Sequence, residues 1–83
     1  MYELSFSDKA KKQFIKLEKN IQERIGAVSE RIRVRPQDFV EKLVGEPGFK
    51  LRVGDYRVFL DIDNNNLIIF ILEQGHRKKV YKK

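Results

Sequence analysis

Arg52 and Arg57 flank Val53-Gly54-Asp55-Tyr56, a stretch whose centre reads as a two-residue hairpin turn. Glycine in the first turn position supplies the positive φ of a type II′ turn. That turn sets Val53 against Tyr56, Arg52 against Arg57, Leu51 against Val58 and Lys50 against Phe59. Two guanidinium groups directly opposed on one sheet face repel, at a cost of roughly a few tenths of a kcal/mol or more. Stability alone does not select such a pair. Guanidinium forks match phosphate oxygens two at a time, so the chemistry on offer is an anion clamp. The competing reading is structural: strand twist splays the pair, or Asp55, Asp61 or Glu73 neutralises it.

A second group follows Gly75: His76, Arg77, Lys78, Lys79, Tyr81 and Lys82. His76 is the only histidine, and imidazole titrates near physiological pH, so it is either a proton carrier or an ordinary surface residue. Tyr81, read by itself, is an apolar anchor with an exposed hydroxyl. With one histidine, no cysteine and no carboxylates at ligand spacing, the sequence gives no support for a metal site. A serine triad is equally unsupported, since Ser5, Ser7 and Ser29 all stand far from His76 along the chain. What remains is phosphate chemistry on RNA, which carries its own nucleophile in the 2′-hydroxyl. Arginine and lysine stabilise the charged phosphorane, and a tyrosine, histidine or lysine moves the proton. Phe59, Ile68 and Phe70 would add an apolar floor for a nucleobase, or for an amphipathic partner segment.

The charge distribution agrees with a polyanionic partner. Lys and Arg number 18 against 12 Asp and Glu, a net +6. Residues 1–46 hold ten basic and eight acidic side chains, residues 47–83 eight and four, so the excess leans to the second half. The last nine residues carry five Lys or Arg and no acid, which is either a phosphate-binding stripe or a solvated tail. At 83 residues the chain is one domain spanning 1–83. It has no signal-like start and no membrane-length apolar run, and is expected in the cytoplasm with no membrane and no small-molecule cofactor.

The elements that must position these groups are legible in outline. Tyr2, Leu4 and Phe6 alternate as an edge strand, and Ser7 or Asp8 caps a helix with Ala10, Phe14 and Leu17 on its apolar side. Asn20, with Glu23 three residues on, reads as the cap of a second helix through Ile21, Ile25, Val28 and Ile32. Arg35-Pro36 stops it, and Gly26 reads as a point of close approach. Residues 36–48 form a connection with one helical turn around Asp38 to Leu43. Three strands follow, Phe49–Val53, Tyr56–Ile62 and Leu67–Leu72, the second turn being Asp63-Asn64-Asn65-Asn66. The last strand is apolar on both sides, which suits an interior position covered on both faces, and Gly75 ends it. The expected fold is α+β: a strand, a two-helix hairpin, then a three-stranded antiparallel meander with the helices on one face.

That β-α-α-β-β-β order, the segment Lys42 to Val58 with its run Leu51-Arg52-Val53-Gly54-Asp55-Tyr56-Arg57, and the ending Gly75-His76-Arg77-Lys78-Lys79-Val80-Tyr81 resemble the RelE/ParE toxin superfamily. The resemblance covers nearly the whole chain and is most specific in those two segments. It implies a toxin of a type II toxin–antitoxin system, of the RelE type, which cuts mRNA in the A site of a 70S-type ribosome. It further implies an acidic antitoxin as partner. By resemblance Arg57 stabilises the transition state, Arg77 binds phosphate or protonates the leaving group, Tyr81 is the general base and Lys50 supports it. His76 stands where some relatives use a histidine, while Arg52, Lys78, Lys79, Lys82 and Phe59 would hold RNA. The chain departs from the pattern at Gly48, where a second lysine is usual, and in a shorter spacing from Arg77 to Tyr81. A ParE-type gyrase inhibitor without RNase activity, or a non-catalytic RNA-binding module, are the alternatives.

Overall fold

The computed structural model describes residues 1–80. Its elements are β1 (Glu3–Phe6), α1 (Asp8–Ile15), α2 (Lys19–Ile32), a 3-10 turn (Pro36–Asp38), β2 (Glu41–Lys42), β3 (Phe49–Val53), β4 (Tyr56–Asp63), β5 (Ile68–His76) and a single helical turn, α3 (Arg77–Val80). The five strands form one sheet in the order β1-β5-β4-β3-β2. The C-terminal meander is antiparallel as expected, but the sheet is mixed, because β1 runs parallel to β5.

The apolar periodicities meet on one side of this sheet. Ala10, Ile21, Ile25 and Ile32 from the helices pack with Leu51, Val53, Val58, Leu60, Ile69 and Ile71. Each fully buried Ile, Leu or Val side chain in such a cluster contributes about 1.5–3 kcal/mol relative to exposure. Tyr2, Leu4 and Phe6 lean on its edge, as their alternation requires.

Ser7 is the cap of α1: its Oγ accepts from the Ala10 N–H at 3.0 Å and donates to the Leu72 carbonyl at 2.7 Å. One hydroxyl therefore starts the helix and pins it to β5. The second helix starts earlier than Asn20. Glu18 stands at its N-cap without a side-chain bond, and the Glu18 carbonyl already accepts from Ile21 and Gln22. Gln22 Nε2 ties back to the Phe14 carbonyl at 2.8 Å, closing a connection too short to leave Asn20 outside the helix.

Three further expectations are corrected. Gly26 makes no close approach, since a Cβ built there would meet nothing within 4 Å. The turn expected around Asp38 to Leu43 falls at Pro36–Asp38, and Glu41–Lys42 instead pair with Lys50 and Phe49 as a short edge strand. Gly75 does not end the last strand, which continues to His76 before Arg77 opens α3.

β5 is interior, as its apolar run predicts, but only one of its faces is covered. Ile69 and Ile71 are fully buried, Ile68 and Phe70 only partly, and Leu72 is 45% exposed. A bulge explains the last. Phe59 pairs with Glu73 while Leu60 pairs with Ile71, so Leu72 is an extra residue in β5. Beyond it the alternation reverses, and Gln74 turns into the core where Glu73 would otherwise stand.

Candidate functional site

The turn between β3 and β4 organises the candidate site. Arg52 pairs with Arg57 and Lys50 with Phe59, as two-residue closure demands. Gly54 has φ +61°, and Asp55 is not among the positive-φ residues, as a type II′ turn requires. On the far side of Arg57, in β5, stands Gly75, whose missing side chain leaves the arginine without a lateral neighbour there.

Arg57 is 7% exposed, and its Nη1 donates to the carbonyls of Gly54 and Tyr56, both at 3.0 Å. The guanidinium is thus bent back over the turn and fixed by backbone. Its Nε and Nη2 meet no acceptor among the described residues. Asp61 and Glu73 do not neutralise the pair: the Asp61 carboxylate accepts from the Ile62 N–H, and Glu73 is paired with Lys9 of α1. Among the described residues neither Arg52 nor Arg57 has an acidic partner. A backbone-held guanidinium facing a second one, with no acid paired to either among the described residues, has the chemistry to take an anion.

Arg77 reaches the same turn by another route. Its backbone N–H donates to the Asp55 carbonyl at 2.8 Å, so the turn's two carbonyls hold the side chain of Arg57 and the main chain of Arg77. The Arg77, Lys78 and Lys79 side chains are exposed. Lys50 and Phe59, half-buried, share the open face with Arg52 and Arg57.

His76 is not brought to this group. Because the bulge reverses the alternation of β5, His76 faces the helix side, where its ring meets Tyr56 edge-on at 5.5 Å. Its Nδ1 accepts from the Lys78 N–H at 3.2 Å. Both rings line a cleft of 660 Å³ between α1 and the end of β5, together with Lys16, Lys79, Gln13 and Gln74. Gln74 is 1% exposed; its Nε2 donates to the Ala10 carbonyl and its N–H to Gln13 Oε1, both at 2.7 Å. These amides close the edge of β5 beyond the end of β1. Tyr81 and Lys82 lie outside the described residues.

Sequence reasoning missed Arg24. From α2 its guanidinium lies over the turn, with Nη2 2.9 Å from where a Gly54 Cβ would be. Nothing in the spacing of α2 distinguishes that position from any other exposed charge on a helix. It also missed Lys9–Glu73 and Gln13–Gln74, which depend on the bulge. Among the described residues no three His, Asp or Glu side chains stand together as a metal-binding group. No helix of these residues is long and apolar enough to cross a membrane.

The chain was compared with known proteins. The sequence model of the ParE toxin of type II toxin–antitoxin systems (parDE) matches residues 4–81. No curated protein matches in a sequence search. Among solved structures, the RelBE2 toxin–antitoxin complex from Mycobacterium tuberculosis is 29% identical, covering 92% of this chain and 98% of that one at a TM-score of 0.78. The intact E. coli RelBE complex is 25% identical over 92% and 96% of the two chains, with a TM-score of 0.78. The isolated E. coli RelE toxin gives a TM-score of 0.80 at 25% identity, covering 98% and 92%.

Proposed function

This chain belongs to the ParE toxin family of type II toxin–antitoxin systems, within the RelE/ParE superfamily, and on that premise we propose that it is an RNase that cuts mRNA in the ribosomal A site. The observation that carries this reading is Arg57: opposed to Arg52, fixed by two backbone carbonyls and lacking an acidic partner among the described residues.

In this reading the 2′-hydroxyl oxygen attacks the adjacent phosphorus, and the bond to the 5′-oxygen breaks. The products are a 2′,3′-cyclic phosphate and a 5′-hydroxyl. Arg57 stabilises the extra charge on the phosphorane, a task worth a few kcal/mol for one well-placed donor. Arg77 holds the phosphate or returns a proton to the leaving oxygen, Tyr81 takes the proton from the 2′-hydroxyl, and Lys50 favours the tyrosinate. His76, across the sheet, serves the cleft side of β5 instead. Arg52 and Phe59 would contact the strand being cut, Lys78, Lys79 and Lys82 its flanks, and the reaction takes place in the cytoplasm.

Cleavage of mRNA on programmed ribosomes is the test. Purified protein is expected to cut within the A site, Arg57→Ala to slow the cut by about 100- to 1,000-fold and Tyr81→Phe to abolish it. Intact mRNA at saturating protein would reject the reading. The match to a family described for ParE favours one alternative, inhibition of DNA gyrase. That reading predicts cleaved DNA–gyrase complexes and untouched mRNA.

Two of the three similar structures named above are toxin–antitoxin complexes. We therefore assign this chain an acidic antitoxin, docking on the open face around Arg52, Phe59 and the exposed Leu72. Co-purification of such a protein from the native operon tests the assignment.

A further inference from the structure

Four arginines converge on the two-residue turn Gly54–Asp55. Arg52 and Arg57 oppose one another across it, Arg57 Nη1 bonds its first carbonyl, and the Arg77 N–H bonds its second. The fourth, Arg24, arrives from α2, with Nη2 and Nη1 2.9 and 3.3 Å from the Gly54 Cβ position. Among the described residues none of the four is ion-paired, although Asp55 lies in the turn itself. Each arginine elsewhere that does pair, Arg33 with Glu30 and Arg35 with Asp38, finds an acid three residues away. Arg24 has no acid at the corresponding positions, since Ile21 precedes it and Ala27 follows.

We propose that Arg24 extends the anion site around the hairpin tip, so that a single-stranded phosphodiester chain runs from the Arg52–Arg57 face over Gly54 and sets a neighbouring phosphate on Arg24. Gly54 allows this passage because it places no Cβ between the guanidinium and the backbone of the turn. The chemistry favours a nucleic acid strand over an acidic polypeptide. An amphipathic helix or strand needs apolar anchors, and none of the exposed large hydrophobic residues (Met1, Ile15, Val34, Phe39, Val44, Leu67, Leu72) belongs to the tip. Successive planar cations without an apolar anchor suit successive phosphates. The proposal rests on the RNA reading above only for the identity of the polyanion.

The test is binding of a fluorescent 2′-O-methyl oligonucleotide, which lacks the attacking hydroxyl, measured as affinity against salt. Loss of one phosphate contact on a single strand reduces the slope of log K against log salt by about 0.7. Arg24→Gln is expected to show that reduction and to weaken all sequences alike, whereas Arg24→Lys retains most of the slope. Lys11→Gln, an exposed charge on α1, serves as the control. An unchanged slope in Arg24→Gln, or a reduction no larger than that of Lys11→Gln, overturns the proposal. So does displacement of the oligonucleotide by polyglutamate as effectively as by unlabelled oligonucleotide of equal charge, which would assign the tip to an acidic protein. In ribosomal cleavage below saturation, Arg24→Gln should need more protein than the parent for half-maximal cutting. If the parent cuts nothing while the slope effect holds, the cleavage reading falls and the Arg24 site stands.

Discussion

β4 is bounded by two turns of opposite character. At its start, Gly54–Asp55 gathers four arginines and pairs none of them with an acid among the described residues. At its end, Asp63 accepts from the N–H groups of Asn65 and Asn66 at 3.0 and 3.1 Å, and from Asn66 Nδ2 at 2.8 Å. Asn64 Oδ1 in turn accepts from the Tyr2 hydroxyl at 2.7 Å and from Gln37 Nε2 at 3.1 Å. One turn satisfies itself and ties three segments together. The other leaves its arginines without an acid among the described residues. The second turn is satisfied by its own side chains, whereas the first is held by backbone carbonyls and sets like charges together. Such a local conflict is expected where function rather than stability selects the residues.

That contrast can be broken by experiment. Arg57→Ala should reduce single-turnover cleavage by about 100- to 1,000-fold, the loss associated with one transition-state donor. A folded variant that still cuts at the parental rate would remove the functional meaning of the first turn. Next in size is Gly54→Ala, which places a side chain at φ +61° and pushes against Arg24. Urea unfolding should show a loss of about 1–2 kcal/mol. Arg52→Ala relieves the opposed pair and should stabilise the fold by roughly a few tenths of a kcal/mol while weakening oligonucleotide binding. Destabilisation there would mean that the pair serves the fold after all.

The second turn gives the smallest effect. The side-chain hydrogen bond from Asn66, then its backbone N–H, holds the Asp63 carboxyl below the ordinary aspartate value. Its stabilising contribution is present above that ordinary value and disappears as pH falls through the lowered one. Asp63→Ala should therefore lower the melting temperature near neutral pH, show a shallower acid dependence than the parent, and cut RNA at the parental rate.

The parts of this arrangement that were legible in the sequence share a physical reason. A two-residue turn and a side-chain period of two leave no freedom, so Arg52 against Arg57 follows from Gly54–Asp55 alone. Apolar spacing placed Ile21, Ile25 and Ile32 on the buried side of α2 in the same way. What was hidden depends on events without a local signal. The extra residue Leu72 reverses the faces of β5, and so it carries His76 away from Arg57 and brings Gln74 into the core. Glu41–Lys42 is too short a strand to show alternation. The parallel pairing of β1 is a tertiary fact, and Arg24 reaches the turn only through the packing of α2.

The pairing of β1 with β5 has a kinetic consequence. Glu3 stands beside Ile68 and Phe6 beside Ile71, so β1 must wait for β5, more than sixty residues later in the chain, to find its place. Contacts between such distant segments pay their loop-closure entropy late and slow folding. Until β5 is made, β4 lacks its neighbour, Arg57 lacks the open lane beside Gly75, and Arg77 has not yet been added. A chain in which β5 has not yet formed therefore presents the turn without the ensemble around it.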